Sequence, residues 1–133
     1  MVAEFDVLMR LLIVNPNTSE ATNNRIRAIA EPMVNPPDDV EVVSAESGVE
    51  LIETVEQSKA TEPAVLSLIE ARHHEADAII IAAFSDPGLR AAQQIAGGPV
   101  FGISQAAMSV AAKSAKRFAI ITVIQGMECQ GYE

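Results

Sequence analysis

The sequence predicts an open, parallel α/β sheet of about five strands with helices on both faces. Three observations predict it. Apolar runs alternate with helical patterns in the order βαβαβαβαβ, the arrangement that gives a parallel sheet with helical crossovers. The strand candidates are continuous blocks of Leu, Ile and Val, as strands covered on both faces require. The 133 residues are 49% hydrophobic yet include only four Phe, one Tyr and no Trp, so the core rests on aliphatic side chains.

The elements follow in order. Leu11-Leu12-Ile13-Val14 is the first strand, cut off by Asn15-Pro16-Asn17. Thr18 or Ser19 offers an N-cap hydroxyl, and Ile26, Ile29, Ala30 and Met33 recur at helical spacing until Asn35-Pro36-Pro37 forbids continuation. Val40 to Val43 reads as the second strand, with Gly48 in the loop beyond. Thr61-Glu62-Pro63 resembles a helix start, with Pro in the first turn, and Ala64, Leu68 and Ala71 fit one face of that helix. Asp77 to Ala83 is the clearest buried strand. Asp86 caps a short helix with Pro87 at its first position, running to about Ile95. Pro99 to Ile103 is a fourth strand, Ser104 caps the helix through Ala106, Ala107, Val110 and Ala111, and Phe118 to Thr122 is the fifth strand. Right-handed crossovers are expected throughout. No internal repeat or low-complexity segment interrupts the pattern.

Length favours one domain. Residues 1–8 read as an N-terminal extension, with Met9 a candidate start, residues 9–122 as the α/β lobe, and residues 123–133 as an irregular tail without helical period. The net charge of −9 comes from 18 acidic and nine basic residues. The basic residues are scattered, and only Lys113, Lys116 and Arg117 come close together, so the footprint of a nucleic-acid binder is missing. The acidic start is unlike a signal peptide, and no apolar run approaches the ~20 residues of a membrane helix. The single cysteine, Cys129, cannot form an internal disulfide. These features point to a cytoplasmic chain without nucleic-acid or membrane partners.

In open parallel sheets, ligands sit beyond the carboxyl ends of the strands. Asn15-Pro16-Asn17-Thr18-Ser19 places amides and hydroxyls at a helix N-terminus, where N–H groups and the helix dipole favour electron-rich oxygens. An Asx-turn with an N-cap accounts for the same residues. Ala83-Phe84-Ser85-Asp86-Pro87-Gly88 forms a second loop at the same end, and a strand end with an Asp cap accounts for it structurally. His73-His74 is a poor metal site, because neighbours on a helix point about 100° apart. Met108 reads as core filling.

The two loops together carry a resemblance. Leu11 to Ser19 looks like the opening strand and "VNPNTS" loop of the Asp/Glu/hydantoin racemase superfamily, in particular its hydantoin and allantoin racemase branch. Gly48 with Ile52-Glu53 resembles that branch's Gly-Pro-x-Ser-Ile-Glu segment, although Val49-Glu50-Leu51 departs from it. Ile80 to Ala91 resembles "IACFGDPGL…A". Pro99 to Ile103 with Gln105-Ala106-Ala107 looks like "PVxGIxEAA", and Arg117 to Thr122 like "RFxIIT". The segments occur in order over residues 9–122.

The resemblance implies racemisation or epimerisation next to a carbonyl, without metal or cofactor. One thiolate removes the proton and a second thiol returns one on the far face, while N–H groups and short polar side chains hold the developing charge. It implies a substrate such as a 5-substituted hydantoin, allantoin or an amino acid, cradled by Asn15, Thr18, Gly48, Phe84, Ser85 and Thr122. Two departures stand out. Ala83 occupies the position of the family's first catalytic cysteine and has no ionisable group. The second lobe, which brings the second cysteine, is absent, and Cys129 does not follow a strand in the required pattern. An engineered, degenerate or fragmentary origin fits both departures. The chain alone is therefore expected to be inactive. The alternative is a non-enzymatic, flavodoxin-like module binding a small ligand or a partner, with a homo-oligomer among the candidate assemblies because a lone lobe exposes its interface.

Overall fold

The computed structural model describes residues 8–122. The expectations for the N-terminal extension up to residue 7, for the 123–133 tail and for Cys129 lie outside the described residues. Four parallel strands form one sheet in the order β2-β1-β3-β4. They are β1 (Arg10–Asn15), β2 (Asp39–Ser44), β3 (Ala78–Ile81) and β4 (Val100–Gly102), connected by α1 (Glu20–Ala30), α2 (Val55–Arg72) and α3 (Leu89–Ile95) and followed by α4 (Ile103–Ser114).

The register explains where the core sits. Leu12 stands beside Glu41 and Ile79, and Val14 beside Val43 and Ile81, while Ile79 stands beside Val100. Side chains alternate between faces every residue, so Leu12, Val14, Ile79, Ile81 and Val100 share one face. Val65 and Ile69 of α2 and Leu89 and Ala92 of α3 join them in one buried cluster. Glu41, on the same face at the sheet edge, reaches Arg72 at the end of α2 (2.8 Å), and Arg72 also holds Glu75 (2.6 Å). Exposed ion pairs of this kind contribute about 0–1 kcal/mol each. Ile13 and Val42 are buried on the opposite face, where α1 packs beside β2.

Several boundaries differ from the sequence expectation. Helix α2 begins at Val55, not near Thr61, because Thr54 and Gln57 make a capping box: Thr54 Oγ1 accepts from the Gln57 N–H, and Gln57 Oε1 accepts from the Thr54 N–H. Pro63 lies inside the helix on its exposed side, where solvent can take the carbonyl left without its i+4 donor. Helix α1 ends at Ala30 and tightens into a 3-10 turn at Glu31–Met33. Its expected apolar face is only partly the buried one: Ile26 and Ala30 are half-buried on the same side as Asn23, the buried residue of α1, whereas Ile29 and Met33 are exposed.

The fifth strand is not formed among the described residues. Residues 118–122 carry strand composition, but they pair with no strand of the sheet, and Phe118, Ile120 and Ile121 are exposed. Apolar composition marks a segment that can be buried, whereas a strand also needs a ladder and cover on both faces. Thr122 therefore does not stand at a strand end beside the other site residues.

Candidate functional site

The strand order reverses at β1. The chain moves from β1 outward to β2 on one side, then returns to β3 and β4 on the other. The crevice at the carboxyl ends of β1 and β3 is the topological switch point, where open α/β sheets bind ligands. The two loops singled out from the sequence flank this point. Ladder hydrogen bonds hold their roots together: the Ala82 N–H donates to the Val14 carbonyl (2.8 Å) and the Ala45 N–H to the Asn15 carbonyl (3.1 Å).

The β1 loop is rigid because its amides are spent on one another. Asn15 is fully buried. Its Nδ2 donates to Asn17 Oδ1 (2.8 Å) and Asn23 Oδ1 (2.9 Å), and its Oδ1 accepts the Asn17 N–H (3.2 Å). Asn17 Oδ1 also accepts the Ser19 N–H (3.0 Å), and Ser19 caps α1 by accepting the Thr22 N–H (3.3 Å). Asn15 thus shapes the loop from beneath. Asn23 donates to Glu20 (2.9 Å) and to Ser44 Oγ at the end of β2 (3.2 Å), so one buried side chain ties α1, β1 and β2 together. Sequence reasoning missed Asn23, although an amide three residues before Ile26 on an expected apolar face was the available signal.

Thr18 links this loop to the one after β2. Both its N–H (3.0 Å) and its hydroxyl (3.4 Å) donate to the Val49 carbonyl. Gly48, just before it, is exposed and has φ +130°, a backbone region open to glycine and few others. Asn15, Thr18 and Gly48 therefore belong to one connected rim.

The β3 loop is a tight turn in which the Asp86 N–H donates to the Ala83 carbonyl (2.9 Å). Ala83, Phe84 and Ser85 are half-buried along it. Ser58, a buried residue of α2 that sequence reasoning also missed, donates to Ser85 Oγ (2.6 Å). Two hydroxyls sharing one hydrogen bond keep a second hydrogen that this bond does not use, and it can serve a ligand oxygen. The misplaced start of α2 hid Ser58.

Asp86 does not cap its own helix. It adopts a left-handed backbone (φ 45°), which Asp tolerates better than most residues, and Gly88 takes the N-cap of α3. The Asp86 carboxylate instead crosses to α4 and accepts the N–H groups of Ser104 (3.0 Å) and Gln105 (2.7 Å). Those are the second and third residues of the helix, the donors an N-cap side chain would satisfy. Gly102 holds the N-cap position and has no side chain to offer. A Cβ there would collide with the Asp86 carboxylate. Ser104, expected as the cap, lies buried inside the helix. Burial pushes the Asp86 carboxyl above its usual 3.8, and the two backbone N–H bonds oppose the shift.

Among the described residues no group of three or more His, Cys, Asp or Glu is arranged to hold a metal ion. His73 accepts the Gly97 N–H at Nδ1 (3.2 Å) and His74 is exposed. No helix among the described residues is long and apolar enough to cross a membrane. A cleft of about 520 Å³ lies at the opposite, amino-terminal end of the strands, lined by Arg10, Asp38, Glu41 and Arg72 among others. It is far from the switch point and shares none of its residues.

Known proteins resemble this chain along most of its length. The model of the family described as Asp/Glu/Hydantoin racemase matches residues 11–128. A hydantoin racemase of Pseudomonas sp. (strain NS671) is 32% identical over 117 residues, covering 87% of this chain and 47% of that protein. One of Paenarthrobacter aurescens is 30% identical over 118 residues, covering 87% and 50%. Among solved structures, an allantoin racemase from Klebsiella pneumoniae superposes with a TM-score of 0.74 at 38% identity, over 79% of this chain and 43% of that one. An allantoin racemase from Pseudomonas fluorescens superposes with a TM-score of 0.81 at 26% identity, over 90% and 51%. The chain spans about half the length of these relatives.

Proposed function

Because the chain belongs to the Asp/Glu/hydantoin racemase family, we propose that its switch-point crevice receives a small carbonyl compound of the hydantoin, allantoin or amino-acid type and does not racemise it. The observation that carries this reading is the placement of Ala83. It stands one residue beyond the last ladder bond of β3, at the root of the turn beside the β1 loop. This is the position that the resemblance assigns to the first catalytic cysteine. Racemisation needs a base within hydrogen-bond reach of the substrate carbon, and a methyl group cannot serve. A second acid on the opposite face would have to come from outside residues 8–122, and the thiol expected there is not supplied by any described residue.

The remaining rim is still suited to binding. Ser85 offers a hydroxyl supported by Ser58, Phe84 offers apolar cover, and Asn17 and Thr18, whose N–H groups are held by Asn15 and Val49, fix the loop at the positive end of α1. Ala83 equally favours the alternative of a binding module without turnover, and the two readings share one pocket. Titrating the ¹⁵N-labelled protein with a 5-substituted hydantoin tests it. Saturable shifts are expected for the amides of Asn17, Thr18 and Ser85. Shifts confined to residues around Arg10 and Arg72, at the opposite end of the sheet, would contradict the assignment.

A further inference from the structure

Ser58 begins the buried stripe of α2. Ser58, Thr61, Val65 and Ile69 are the buried residues of that helix and recur at helical spacing. Val65 and Ile69 enter the apolar cluster, whereas Ser58 stands at the amino end of the stripe and meets the β3 loop. Two features fix it there. The Thr54–Gln57 capping box sets where α2 starts, and the Thr61 hydroxyl donates to the Ser58 carbonyl (2.7 Å). Ser85 is fixed as well. It lies within the Ala83–Asp86 turn, which the Asp86 N–H closes (2.9 Å), and the Asp86 carboxylate anchors that turn to α4.

The two hydroxyls meet at 2.6 Å, and only one of them can donate. Ser58 is 6% exposed, and its hydroxyl reaches the Ser85 oxygen as acceptor. Were Ser85 the donor, the Ser58 hydrogen would be buried without an acceptor, a state that buried polar groups avoid. Ser58 therefore donates, and the half-buried Ser85 keeps its own hydrogen. Asn15 and Thr18 on the β1 side differ. Asn15 Nδ2 gives its hydrogens to Asn17 and Asn23, and the Thr18 hydroxyl gives its hydrogen to the Val49 carbonyl.

On the reading that the switch-point crevice receives a small carbonyl compound, we propose that Ser58 is a positioning residue that sets the polarity of the rim at Ser85. Its hydrogen bond occupies the inner side of the Ser85 oxygen and leaves the Ser85 hydrogen for the crevice. This point of the rim thereby selects a ligand carbonyl oxygen over a ligand N–H. A hydroxyl that accepts one hydrogen bond also donates a stronger one, so Ser58 acts on the ligand through Ser85 without touching it.

Calorimetric titration with a 5-substituted hydantoin and its 2-thio and 4-thio analogues tests this. Sulfur accepts hydrogen bonds more weakly than oxygen. It is also larger, and that part of the difference persists in every variant. The unmodified chain should favour the oxygen compound over one of the two analogues, and Ser85→Ala should narrow that preference roughly two- to tenfold, the worth of one neutral hydrogen bond. Ser58→Ala should narrow the same preference by about twofold or more, and should change nothing further in the Ser85→Ala background, since a residue that acts only through its partner has no effect once the partner is gone. Circular dichroism checks that each variant folds. A preference untouched by Ser58→Ala, an equal weakening of all three ligands, or an effect that persists without Ser85 would overturn the proposal while leaving the crevice a ligand site. No binding of any of the three to the unmodified chain would overturn the reading of the crevice and the role of Ser58 together.

Discussion

The carboxylate of Asp86 and the bare Cα of Gly102 share one space: the oxygens that accept the Ser104 and Gln105 N–H groups lie where a side chain at position 102 would begin. The β3 loop is thereby locked to the start of α4. Replacing Asp86 with Ala leaves two helix N–H groups without their acceptor and should cost about 1–3 kcal/mol. Gly102→Ala should cost a similar amount by overpacking, about 1–3 kcal/mol. Because both changes break one contact, the double variant should lose less than the two losses combined. Urea denaturation of the three variants checks this.

The same carboxylate predicts a pH dependence. Burial raises its folded-state pKa above the usual 3.8. A raised folded pKa means that the folded state binds the proton more tightly than the unfolded chain. The contribution is fully present below the unfolded value and is lost as pH rises through the folded one. The stability advantage of the unmodified chain over Asp86→Asn should therefore shrink as pH increases from below 3.8 through the raised value. Denaturant midpoints measured side by side across that range would show it. An advantage that grows with pH would mean that the helix N–H groups outweigh burial.

Asn23 should behave as a core residue despite its polarity. Asn23→Ala leaves the Asn15 amide and Ser44 each short of a buried partner and should cost about 1–3 kcal/mol. Thermal unfolding reads the loss. Amide exchange should also quicken at Asn17 and Ser19, whose N–H bonds depend on the same network.

The two apolar classes in the chain should respond differently. Ile69 is fully buried in the cluster between α2 and the sheet, and Ile69→Ala should cost about 2–5 kcal/mol. Ile121 is almost fully exposed, so Ile121→Ala should stay within about 0.5 kcal/mol. Equilibrium unfolding of the monomer distinguishes them.

The strands were legible because blocks such as Leu11–Val14 and Ile79–Ile81 have few other uses than a doubly covered sheet. The two loops were legible because Pro, Asn and Gly follow those blocks abruptly. What stayed hidden depended on contacts distant in sequence. Asp86 has all the marks of a local cap, and nothing near it reveals that Gly102 leaves α4 without one. Pro63 suggested a helix start, and the Thr54–Gln57 box that begins α2 lies nine residues upstream of it. Ile29 and Met33 have core composition and helical spacing, yet α1 turns Asn23 inward instead, because the buried amide network needs a partner. Phe118 to Thr122 shows the limit of composition, since it is apolar enough for a strand and joins no strand of the sheet among the described residues.

On the proposed reading, the crevice between the β1 and β3 loops belongs to a racemase-family lobe without its base. Hydrogen exchange at the stereocentre of a 5-substituted hydantoin in D₂O, followed by NMR with the purified protein, tests it most directly. The unmodified chain should add nothing to the exchange seen in buffer, and Ala83→Cys should accelerate one-sided exchange by placing a thiolate at the strand end. Catalysed exchange by the unmodified chain, or an Ala83→Cys variant that binds the hydantoin and never exchanges it, would contradict a crevice that lacks only its base.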